Sequence, residues 1–169
     1  MKLNSLQDVY VHQLKDLYSA EKQIIEALPK MAQAASSNEL QSAFEEHLQQ
    51  SQTHLERVQQ ILNELNVNPG NVKCDGMEGL IKEGEEAVEA NGHSAAKDAL
   101  LISAAQRVEH YEIAAYGSVR SYANELGYSN AANLLQRTLD EEGETDKKLT
   151  ALAEGGILAS GINEAARRR

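Results

Sequence analysis

The chain reads as an all-α protein built on four long helices. Three observations predict this. Apolar residues recur at spacings of three and four along four extended segments. Only two prolines occur, Pro29 and Pro69. Helix formers such as Ala, Leu, Glu, Gln and Lys dominate, and no stretch shows regular β alternation.

The first segment spans about 5–35. Ser5-x-x-Asp8 opens it as a capping arrangement, and Leu14, Leu17, Glu21, Ile24, Leu28 and Met31 share one face. Glu21 is the only charge among them. Pro29 is expected to kink this helix, because it removes a donor and crowds the carbonyl of Ile25. The second segment spans about 37–65 and opens on a capping-box pattern, Ser36-x-x-Glu39. Its inward stripe is Leu40, Phe44, His47, Ser51, His54, Val58, Ile61 and Leu65, and Asn66-Val67-Asn68-Pro69-Gly70 stops it. A connection follows with a short helix near 77–90, opened by Asp75-x-x-Glu78 and closed by Asn91-Gly92. The third long segment spans about 94–126. Leu101, Ile102, Ala105, Val108, Glu109, Glu112, Tyr116 and Val119 face in, and Gly127 is a natural residue just past the cap. The fourth spans about 130–153, with Leu135, Leu139, Glu142, Asp146, Leu149 and Leu152 inward. Residues 1–156 are expected to form one domain, and 157–169 a weakly ordered tail.

Short links after the first and third long segments make helical hairpins, and the long middle link must cross the bundle or lie along it. Two αα-hairpins joined by one long crossover is the ferritin-like four-helix plan. No repeat at a fixed period supports a solenoid.

Bulk properties narrow the function. The net charge of −10 argues against nucleic acid as the main partner, because phosphate binding runs on Lys and Arg. No run of about 18 apolar residues marks a membrane span. A single cysteine, Cys74, excludes an intramolecular disulfide, and the polar start of the chain lacks a signal-peptide pattern. Both are read as favouring a cytoplasmic location.

The chemistry concentrates in a few inward carboxylates. Glu142 follows Glu109 by 33 residues, about one helix, a turn and the return to the same height. Buried carboxylates need a partner or a cation, since desolvating an unpaired anion costs several kcal/mol or forces its protonation. Ferritin-like di-metal sites take one Glu from each of two helices and a Glu-x-x-His pair from each of the other two. Here Glu21 supplies the first helix, Glu109 and Glu112 the third, and Glu142 the fourth, with Asp146 in place of the usual His. The second helix carries Ser51-x-x-His54, with His47 one turn earlier and Gln50 beside Ser51. The candidate metal ligands are therefore Glu21, His47, His54, Glu109, Glu112, Glu142 and Asp146. The ion is iron, manganese or zinc, in one or two copies. Each residue has a plainer reading. Glu21 can pair with Lys or Arg, one of Glu109 and Glu112 can pair with Arg107 or Arg120, and Glu142 can lie on a solvated acidic face. Asp146 can orient a ligand instead of being one, and the two histidines can be hydrogen-bonded core. His110, next to Glu109, points about 100° away. Cys74 has no evident base beside it.

Longer stretches carry a closer likeness. Tyr18-Ser19-Ala20-Glu21-Lys22-Gln23, Phe44-Glu45-Glu46-His47-Leu48, Lys73-Cys74-Asp75-Gly76-Met77-Glu78-Gly79-Leu80 and Ala105-Gln106-Arg107-Val108-Glu109-His110-Tyr111-Glu112-Ile113-Ala114 resemble the YciF/YciE family of ferritin-like bacterial stress proteins. The resemblance continues through Leu139 to Leu149. It implies a helical bundle, a homodimer, a metal centre and a link to stress responses, but it hands over no reaction. It also implies that Gln50 replaces a family Glu. Three functions follow as expectations: a ferroxidase or peroxide-reducing site, a non-enzymatic dimeric interaction module with a vestigial or structural ion, and a metal store.

Overall fold

The computed structural model describes residues 3–156 and 159–167. Its long elements are α1 (Leu6–Ala34), α2 (Asn38–Glu64), α3 (Asp75–Glu89), α4 (Ser94–Glu125) and α5 (Ser129–Glu154). The architecture is the all-α, ferritin-like bundle expected. α1 pairs with α2 and α4 with α5, while α3 lies against α1 and α4. Among the described residues no helix is long and apolar enough to cross a membrane.

Local chemistry sets the ends. Ser5 and Asp8 form a reciprocal capping box at the start of α1, and α1 continues past Pro29 to Ala34. Two starts differ from the sequence reading. α2 is capped by Ser37, not Ser36. Asp98 of α4 reaches across and accepts from the backbone N–H groups of Ser36 and Ser37, at 2.8 Å each, so a distant carboxylate does the work expected of Glu39. α3 is capped by the Cys74 sulfur, which accepts from Met77 N at 3.5 Å. The C-terminal ends of α2 and α4 each close on a left-handed residue, Asn66 and Gly127. In each, the next N–H returns to a carbonyl five residues back, Val67 to Leu62 and Tyr128 to Ala123.

Further short elements follow α5 in the segment expected to be a weakly ordered tail. Positions 157, 158, 168 and 169 lie outside the described residues. Of the rest, β1 (Gly155–Gly156) pairs antiparallel with β2 (Ala159–Ser160), and α6 (Ile162–Arg167) packs on α4 and α5. Gly161 makes this possible. A Cβ there would sit 2.3–2.5 Å from backbone atoms of Ala153 to Gly155, so only glycine lets the chain turn back so tightly.

The core has two apolar halves. One gathers Leu28, Met31, Phe44, Met77 and Leu101; the other gathers Tyr10, Leu14, Val58, Val119 and Leu135. Between them lies a layer of fully buried polar side chains.

Candidate metal centre

Four helices each deliver candidate ligands to this layer. Glu21 comes from α1, His47 and His54 from α2, Glu109 and Glu112 from α4, and Glu142 from α5; all are buried. The stripes that place them are those of the amphipathic helices, interrupted at one level by ionisable groups. Ligand atoms of His47, Glu109, Glu112 and Glu142 lie within 4.8 Å of one another, and so do those of Glu21, His54 and Glu142. Glu142 belongs to both groups. Two adjoining positions sharing one carboxylate is the geometry that a bridged pair of ions requires.

The hydrogen-bond inventory tests whether a cation fits. Buried polar atoms nearly always have partners. Here Glu21 Oε2, Glu109 Oε2, both oxygens of Glu112 and of Glu142, and both ring nitrogens of His47 have none. His54 Nδ1 makes two ion-pair contacts, 2.9 Å from Glu142 Oε1 and 3.6 Å from Glu21 Oε1, neither on the line of a hydrogen bond. Oxygen and imidazole donors in this mixture suit iron, manganese or zinc. The residues present fit such an ion.

Electrostatics tell the same story from the proton's side. Burial, then the charge of Glu142, pushes Glu109 and Glu112 well above the usual carboxylate range. Burial also pushes Glu21 up to about 8, against the lowering pull of His54. Burial favours a neutral Glu142 as well, but the contact with His54 and the charges of His47 and His54 outweigh it and hold Glu142 low. Burial disfavours charge on both histidines. For His47 it prevails, whereas the contacts with Glu142, Glu21 and Glu141 lift His54 to about 8. Without an ion, these shifts favour protons on Glu21, Glu109, Glu112 and His54.

Supporting groups hold the ligands. Tyr116 OH donates to Glu21 Oε1 at 2.5 Å, and the Tyr116 ring stands edge-on to His54. Glu141 Oε2 lies 2.8 Å from His54 Nε2. Arg57 grips Glu141 through two bonds, 2.6 and 3.0 Å, and also donates to Thr138 Oγ1. A carboxylate on one imidazole nitrogen fixes the ring and turns the other nitrogen toward the ligand layer.

Of the seven candidate ligands, the structure brings six together. Asp146 falls outside both groups. Its carboxylate accepts from Gln106 Nε2 at 3.1 Å and faces the exposed His110 at 3.5 Å, because the turn of helix from Glu142 carries it to the α4–α5 seam. Gln50 is also outside: its Oε1 accepts from Thr145 Oγ1 at 3.1 Å. The α2 residue buried beside the histidines is Ser51, whose Oγ has no partner. Sequence reasoning missed Glu141, Arg57 and Tyr116 as supports. Glu141 was legible only as part of an acidic run, and Tyr116 as core.

The comparisons agree with the fold. A family described only as a domain of unknown function, DUF892, matches residues 5–165. Protein YciF of Escherichia coli (strain K12) is 45% identical over 166 residues, covering 98% of this chain and 100% of that protein. The crystal structure of the E. coli stress protein YciF superposes with a TM-score of 0.88 at 44% identity, over 98% of this chain and 100% of that one. YcfI of Rhodopseudomonas palustris gives 0.85 at 38% identity, over 90% and 97%. A dodecameric thioferritin from Bacteroides fragilis gives 0.66 at 16% identity, over 86% and 84%, a likeness of fold alone. Near-complete coverage at this identity makes the chain a member of the DUF892, YciF-like family of ferritin-like proteins.

Proposed function

We propose that this protein is a stress-associated, cytoplasmic homodimer that binds one or two transition-metal ions, iron foremost, in its mid-bundle layer, and that it acts there as a ferroxidase or peroxide reductase. The observation that carries the metal reading is the set of orphaned ligand atoms in two groups sharing Glu142. Kinship with a protein called a stress protein supports the biological setting. When bound, the ions supply a change of redox state and an open coordination position for dioxygen or peroxide.

The chain's own residues do the rest. Glu109, Glu112 and Glu21 hold protons when the layer is empty of cations and give them up as charge arrives. Glu142 stays anionic and takes the shared place. Glu141 and Arg57 keep His54 aimed inward, and Tyr116 holds one oxygen of Glu21 while the other stays free. The apolar halves keep bulk water from the layer.

One observation favours a second reading. The His54–Glu142 ion pair and the protonated carboxyls neutralise much of the layer without any ion, as a non-enzymatic interaction module would need. Metal analysis of the protein as purified, then anaerobic ferrous titration and admission of air, separates the two. Saturable ferrous binding followed by oxidation faster than in protein-free buffer supports the enzyme; no binding supports the module.

A further inference from the structure

A cavity of about 30 Å³ lies between α1, α3 and α4 and ends on the ligand layer. Its inner end is formed by His47 and Glu109, whose His47 nitrogens and Glu109 Oε2 lack hydrogen-bond partners. Its walls are hydrocarbon: Ile24, Leu28, Leu80, Ile81, Val88 and Val108. Its outer rim carries Lys30 and Glu85, exposed and paired at 3.0 Å.

Size and lining select the occupant. The volume admits one or two molecules as small as water. Water needs two to four polar partners, which it finds only at the inner end, from His47 and Glu109, and not along the hydrocarbon walls. A ferrous ion would lose its hydration shell along such walls without compensation, at prohibitive cost. Peroxide, a double donor and acceptor, has the same difficulty as water. Dioxygen is small, apolar and more soluble in hydrocarbon than in water. We infer that this cavity is the entry and holding site for dioxygen, delivering it to the His47–Glu109 edge of the layer. The inference rests on the metal reading above for its purpose, but not for its binding step.

Gly84 gives the means to test it. It is buried on α3 and lines the cavity, and a Cβ built there meets nothing within 4 Å. A larger side chain can therefore grow into the cavity without displacing its neighbours at the first atom. The first measurement is xenon pressurisation of metal-free crystals of the wild type and of Gly84→Leu. Xenon is expected between Ile24, Leu28 and Val108 in the wild type and lost in the variant. An unoccupied wild-type cavity, or equal occupancy in the variant, overturns the inference. The second measurement mixes anaerobically ferrous-loaded protein with graded dioxygen. The variant is expected to bind as much ferrous ion as the wild type, with its rate constant for dioxygen lowered several-fold. An unchanged rate constant overturns the delivery role. Should Gly84→Leu fail to fold, Ala27→Leu at the same cavity serves in both measurements. If the wild type binds no ferrous ion, the metal reading fails while the xenon result still decides whether the cavity takes a small apolar guest.

Discussion

Glu142 stands between two neighbourhoods that are built differently. On the Glu21–His54 side the ligands have protein support: Tyr116 bonds Glu21, Glu141 bonds His54, and His54 itself pairs with Glu142. On the His47–Glu109–Glu112 side His47 Nε2 lies 3.7 Å from Glu109 Oε1, and both Glu112 oxygens and both His47 nitrogens lack partners. Both sides must give up protons to an ion, from Glu109 and Glu112 on one and from Glu21 and His54 on the other. They differ in ligand number and in what already holds the ligands: four groups on the first side, of which His47 and Glu112 bond nothing, against three on the second, of which Glu21 and His54 are already bonded. More ligands and fewer bonds to rearrange favour the four-ligand position, which should fill first and tightly. The His54 position should fill second and weakly.

The largest expected effect comes from the shared residue. Glu142→Gln keeps the shape but removes the charge common to both positions, so tight binding should vanish from both in a metal titration. Retention of one tight ion would show that the positions are independent. Glu109→Ala comes next: it should abolish the first, tight ion and leave at most weak binding on the His54 side. Tight binding that survives would place the first ion on the wrong side of Glu142.

Glu141→Gln tests the supported side alone. Loss of a carboxylate behind a ligating histidine typically lowers metal affinity about 10- to 100-fold. The second ion should weaken by that order while the first is unchanged, read by calorimetry. Equal weakening of both would dissolve the distinction.

Stability against pH sharpens it further. Glu21 and His54 both have folded-state values raised to about 8, from ordinary values of 4.5 and 6.5. The folded chain then binds their protons more tightly than the unfolded chain does. That stability is full below the ordinary values and is lost as pH rises through about 8. His47, shifted down by burial, works in the opposite sense, but only below its ordinary value of 6.5. Metal-free protein should therefore melt at a lower temperature near pH 8.5 than near pH 6.5. The metal-loaded protein should not show this fall, because the ion replaces the protons. A metal-free melting temperature that rises over this interval would contradict the proton assignment. The smallest effect is expected for Gln50→Glu, since Gln50 serves the seam with Thr145 and not the ligand layer. A raised metal-to-protein ratio in that variant would reinstate it as a ligand position.

The bundle was legible because long amphipathic stripes, Asn66, Gly127 and the Ser5–Asp8 box each specify helices or their ends locally. Six candidate ligands were legible for the same reason: an ionisable residue at an inward position of a stripe has few places to point. Asp146 was misplaced because one turn along α5 rotates a side chain from the layer to the seam, a difference of angle that residue spacing alone resolves poorly. The Ser37 cap escaped notice because it depends on Asp98, about sixty positions away in the chain. The turn into α6 depends in the same way on Gly161 meeting the end of α5. Arg57, Glu141 and the cavity under α3 arise only when different helices are brought together, so no single segment announces them.

The most direct test of the central claim is anomalous diffraction from crystals grown metal-free and then loaded with manganese or, anaerobically, with ferrous iron. The account predicts a strong peak among His47, Glu109, Glu112 and Glu142 and a weaker one among Glu21, His54 and Glu142. Peaks confined to surface carboxylates, or a layer unchanged and without an ion at saturating metal, would contradict it.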